Sequence, residues 1–201
     1  LHGVDHHLRR LEEVGYPAGV LLLAGGRLFA VPEVGRIGAL LVAVGIGAMG
    51  VVLGRRLLET AVAWNPMLRR YAVAAVAMVA WAVLTPPTWY ASPLDPGATF
   101  GSPAGTHLLL FGVVGFVVAG TLYHVVPFIV WVNRYSDRLG LEAVPMIDDL
   151  YDDRLARADL AALLGGTTAL VLAEGLSAVG AVTDVSTALL LAGTASTVGF
   201  G

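Results

Sequence analysis

With 57% hydrophobic and only 13% charged residues over 201 positions, the chain is too apolar to hide its hydrophobic side chains in one water-soluble core, and a bilayer is the solvent this composition implies. The net charge of −3 points to no nucleic acid or other polyanion, and the absence of cysteine excludes disulfides, thiolate metal sites and a cysteine nucleophile.

The expected fold is all-α: a polytopic transmembrane helix bundle of about six spans, one domain over residues 1–201, with a cytoplasmic N-terminus. Residues 1–16 form an amphipathic segment, with Val4, Leu8, Leu11 and Val14 near helical spacing among charged neighbours, and should lie at the membrane interface. The first span is placed at 17–32, opened by Pro17 and carrying Arg27. The second covers 36–54, rich in Gly and Ala and stopped by Arg55 and Arg56. A polar link through Trp64, Asn65 and Arg69 leads to the third span, 70–85, which Pro86 and Pro87 end because proline cannot continue the hydrogen-bond ladder. Residues 86–105 read as an irregular loop with interfacial Trp89 and Tyr90. The fourth span, 106–132, is the longest and carries Pro127, expected to kink its last turns. A charged cytoplasmic connector follows at 133–157, then spans at 158–180 and 184–201.

Arginine placement supports this threading. Ten of the 12 basic residues, all arginine, fall on the segments assigned to the cytoplasm; only Arg36 falls outside and Arg27 within a span. That is a positive-inside bias. The chain starts at Leu1, shows no signal-peptide layout and closes at Gly201 inside an apolar run, so a piece of a longer reading frame is expected, whose remaining helices could complete a site. Glycines recur at close-packing spacing (Gly45, Gly47 and Gly50; Gly112, Gly115 and Gly120), which suits helix interfaces in lipid.

Few residues could carry chemistry. His107 and His124 lie in the fourth span, separated by roughly 25 Å of helix, so they cannot bind one metal together. Each could ligate its own centre with partners from other helices; the plainer alternative is an interfacial His107 and a hydrogen-bonded core His124, its ring N–H taken by a carbonyl freed by Pro127. Tyr123 points about 100° away from His124, and the pair could share a polar cavity with Thr121. Arg27 could snorkel to an interface, pair with Glu174 of the fifth span, or meet an anionic cofactor. The His2, His6 and His7 cluster beside Asp5 lacks a third firm metal ligand. The acidic run Asp148, Asp149, Asp152 and Asp153 lacks the turn glycine of a calcium loop and reads as structural. No nucleophile elbow, phosphate loop or zinc-protease helix is present, and no catalytic residue is assigned.

The stretch His107-Leu-Leu-Leu-Phe-Gly112, then Gly120-Thr-Leu-Tyr-His124-Val-Val-Pro127-Phe-Ile-Val-Trp131, Asn133-Arg-Tyr135 and Val144-Pro-Met-Ile-Asp148-Asp149, about a fifth of the chain, resembles membrane proteins related to the catalytic subunit of haem–copper oxidases, including the NnrS-like group. The resemblance implies a many-helix bundle of the cell membrane, expected to be a prokaryotic plasma membrane, in which histidines hold haem or copper, with His107 and His124 as candidate ligands. Two features depart from that family: its catalytic subunits have about twice as many spans, and no span here carries paired histidines. Other membrane subunits, or further helices of the same chain, are the partners this implies. The competing expectations are a small-solute or ion transporter, for which polar lining is scarce, and a structural or assembly subunit without a site of its own.

Overall fold

The structure is a computed structural model, and it describes residues 11–139, 142–178 and 183–198. Among the described residues helix is the regular secondary structure, without a named strand; an isolated bridge joins Leu139 and Glu142. Residues 1–10, with most of the expected interfacial segment and the His2, His6 and His7 cluster, lie outside the described part. A π-helical turn at Leu11–Gly15 runs directly into α1, Tyr16–Leu28. Then come α2, Pro32–Glu59; α3, Pro66–Leu84; and a short α4, Pro86–Ala91. A rod from Pro103 to Tyr135 contains α5, Pro103–His107, a π-helical stretch Leu108–Gly115, and α6, Phe116–Tyr135. The chain closes with α7, Asp153–Ala178, and α8, Thr183–Val198.

In their described residues all six expected apolar segments contain a helix, but the ends differ, for identifiable reasons. α2 runs through Arg55 and Arg56 to Glu59, with ion pairs to Glu59 of 3.6 and 3.8 Å, so charge alone did not stop it. At about 1.5 Å per residue a helix this long exceeds a hydrocarbon core of roughly 30 Å. α3 starts at Pro66 because Asn65 caps it, accepting the Leu68 N–H at 2.9 Å. Pro86 and Pro87 do end α3, yet they also open α4, where a missing N–H costs nothing, so 86–91 is helix and not loop. The connector is shorter than 133–157, since α6 continues to Tyr135 and α7 begins at Asp153. Asp152 caps α7 by accepting the Arg154 N–H at 2.6 Å, and Asp149 accepts the Met146 N–H at 2.9 Å. These two aspartates serve the backbone, as the structural reading of the acidic run requires.

Among the described residues four helical stretches are long and apolar enough to cross a membrane: Pro32–Glu59, Pro66–Ala91, Pro96–Arg138 and Asp153–Ser177. α1 and α8, with 13 and 16 residues, are shorter. Helices adjacent in sequence are adjacent in space: α1 on α2, α2 on α3, α3 on the rod of α6, and α7 on α8, while α5 and α3 also touch α7. Glycine makes the closest approaches. A Cβ at Gly26 would collide with the Gly35 backbone and one at Gly38 with the Leu23 backbone, so α1 and α2 meet main chain to main chain. Gly50 sits against Met78 of α3, and Gly166 against Gly193 across α7 and α8. Without a hydrophobic driving force between helices in lipid, such contact gains dispersion that larger side chains would block.

Gly38→Leu should therefore split the α1–α2 hairpin and cost more than about 3 kcal/mol, because backbone cannot move aside. Gly25, with open space around its Cβ position, should accept alanine with no loss. Thermal unfolding of the detergent-solubilised variants, followed by intrinsic fluorescence, checks the contrast.

Candidate functional site

Among the described residues the buried charged side chain is Arg70, which the sequence counts only among the inner basic residues. It lies one turn into α3 and is fully buried. One terminal nitrogen donates to the Pro66 carbonyl at 3.0 Å; the other donates to the Ala156 carbonyl at 3.0 Å and to the Asp159 carboxylate. The guanidinium carbon stands 3.9 Å from the centre of the Tyr123 ring. A guanidinium cannot lose its proton, so its burial is tolerable only with bonds and charge around it. Here α3 supplies the cation, α7 the anion and a carbonyl, and α6 the aromatic face. Gly120 makes room, since a Cβ there would stand 3.2 Å from the Arg70 Cβ. Next to it the Tyr71 and Thr121 hydroxyls lie 2.9 Å apart. Thr121 thus meets Tyr71 and Tyr123 meets Arg70, two successive residues of α3. Tyr123 also meets Tyr151 edge-on at 6.1 Å.

A second arginine organises the opposite end. Arg27, near the end of α1, donates to the carbonyls of Pro93 at 3.1 Å, Ala98 at 3.0 Å and Thr99 at 3.4 Å. Its guanidinium lies 5.8 Å from the Trp89 ring centre. Trp89 donates its indole N–H to the Ala98 carbonyl at 2.6 Å and packs edge-on against Trp81, which donates to the Phe100 carbonyl at 3.2 Å. The bonds of Arg27 thus go to the loop after α4 and not to Glu174. The turn is completed by Gly101, at φ +96°, where a side chain would also strike buried Thr85.

The two histidines are not brought together. His107 ends α5 beside α7, stacks on Phe111 with ring centres 6.1 Å apart, and has a buried Nδ1 with no hydrogen-bond partner among the described residues. The π-helical stretch starts at the next residue; π-helical turns occur often at functional sites. His124, by contrast, is exposed on α6, among exposed Leu122, Val125, Val126 and Phe128. It is not a core histidine bonded over Pro127; its ring faces out of the bundle, although Pro127 itself is buried. Glu174 is half-buried on α7. Among the described residues no three His, Cys, Asp or Glu side chains gather where they could hold a metal ion.

No family model matches the chain, and neither curated proteins nor solved structures give a match.

Loss of one partner of the Arg70 pair leaves a buried charge. Arg70→Met should cost about 3 kcal/mol, the lower end for buried pairs because Asp159 keeps a quarter of its side chain exposed. Pairing Arg70→Met with Asp159→Leu should recover at least half of that loss, as read by a double-mutant cycle on thermal stability.

Proposed function

We propose that the chain is an integral membrane protein of six spans that serves a haem or copper centre, in the manner of the haem–copper oxidase relatives it resembles. The centre's remaining ligands come from outside the described residues. The observation that carries this reading is the outward imidazole of His124 on an apolar helix face. A polar ring at membrane depth is costly when it meets only hydrocarbon, and residues kept there tend to serve a function. His124 has the open approach that axial ligation by one imidazole needs, whereas the buried Nδ1 of His107 does not. One haem held between these two histidines does not fit, given roughly 25 Å of helix between them. A haem there would supply one-electron chemistry; this chain's part would be to hold the ligand on a rigid rod and to shield one face from water.

A second reading has its own support. Both arginines of the interior spend their bonds on tying helices and a loop together, which suits a structural or assembly subunit. The same engagement weighs against a transporter, which needs free polar groups along a path.

A reduced-minus-oxidised visible spectrum of the purified protein, made under haem-replete expression, separates these readings. The redox reading expects a haem signal that falls at least about tenfold in His124→Ala, the usual scale for losing a ligand or its support. A colourless protein that also contains no copper by elemental analysis would leave the structural reading in its place.

A further inference from the structure

Haem and copper ask different things of a protein surface, and the described part of α6 suits one of them. Copper takes several donor side chains at close range. The exposed side chains that flank His124 on α6 are Leu122, Val125, Val126 and Phe128, none of which ligates a metal. Haem asks for an axial imidazole, an apolar bed for its macrocycle and a cation for its two carboxylates. Phe128, about half exposed, stands one turn from His124 on the same face, about 6 Å along the axis and about 40° round it. Half-buried Trp131 follows at about 10 Å, about 20° to the other side. Its indole N–H donates to the Pro145 carbonyl at 2.8 Å, so the connector lies against the inner end of this face.

The apolar run of α6 ends at Val132, and Arg134 comes two residues later, about 15 Å from His124 along the helix and about 80° round it on the Trp131 side. Arg134 is exposed, and among the described residues its guanidinium has neither a hydrogen bond nor an ion pair. Arg138, the next cation, is paired with Glu142 at 3.3 Å. Asp137, the nearest acid in sequence, takes the Ser136 hydroxyl at 3.5 Å and makes no ion pair with Arg134. We infer that the centre on His124 is a haem, with Phe128 against its macrocycle and Arg134 paired with its carboxylates. The inference rests on the redox reading proposed above and chooses between its two centres. Carboxylates are costly in hydrocarbon, and beside Arg134 they reach the end of the rod where the apolar run has stopped.

Titration of the purified full chain in detergent with haemin and with its dimethyl ester, followed at the Soret band, tests this. The ester keeps the iron and the macrocycle and removes the anionic charge. Haemin should bind the wild type about fivefold more tightly than the ester, the scale of one arginine beside an anionic group at a membrane surface. Arg134→Gln should bring the two close to equal with ester affinity unchanged, which also reports that the variant is folded; Arg134→Lys should keep most of the preference. Phe128→Ala should weaken both pigments alike, by about threefold, and His124→Ala should remove both Soret shifts. Equal affinity of the wild type for haemin and ester, or a preference that survives in Arg134→Gln, would overturn the inference. Copper bound through His124 by elemental analysis, with no Soret shift from either pigment, overturns it too but keeps the metal-centre reading. A chain that binds neither pigment nor copper loses both.

Discussion

A guanidinium buried where three helices meet is the constraint on which the rest of this bundle depends. Arg70 carries a guanidinium into the interior, so α6 and α7 must come close enough to face it with an aromatic ring, a carbonyl and a carboxylate. That requirement fixes the rotation of α3 about its own axis, because Ala74, Ala77 and Trp81 follow Arg70 on one buried stripe. It also sets the register of α7 through Ala156 and Asp159. Hydrophobic burial could not do this alone, since it has no direction and, in lipid, little preference for one apolar neighbour over another.

The far end is held by the same chemistry with different partners. Arg27 gathers three backbone carbonyls of the loop after α4, and two tryptophans seal that loop from below. Between the two arginines the helices need only approach closely, which the glycines at 26, 35, 38 and 50 allow. Among the described residues this division of labour leaves scattered buried polar atoms without a partner, on Arg70, Thr85, His107 and Thr167. It also explains why the groups left over for chemistry lie at the margin: His107 at a helix junction, and His124 on the outside of the rod.

Much of the fold was legible from hydropathy, because six apolar runs separated by proline, arginine and aspartate can hardly be anything but helices. Their ends were less legible. Arg55 and Arg56 read as a stop but lie inside α2, and Pro86 reads as a breaker but also starts a helix. The Arg70 hub was missed because a basic pair at a span's edge looks like a topology signal. The available clue was its spacing: Arg70 stands four and seven residues before Ala74 and Ala77, on the side of α3 that is buried. The bonds of Arg27 reach residues 66 to 72 positions away, and no local pattern announces such partners. The histidines were found from the sequence, but which of them faces inward depends on helix rotation, which Arg70 sets.

The account requires the two arginine hubs to lie at opposite faces of one membrane. Because the chain has no cysteine, single cysteines can report this directly. Ser92, in the loop that Arg27 holds, and Ser136, just beyond α6, would each be replaced in turn, and intact cells treated with a membrane-impermeant maleimide. The account predicts that Ser92→Cys is labelled at once and Ser136→Cys only after permeabilisation. Labelling of both from the same side would contradict it.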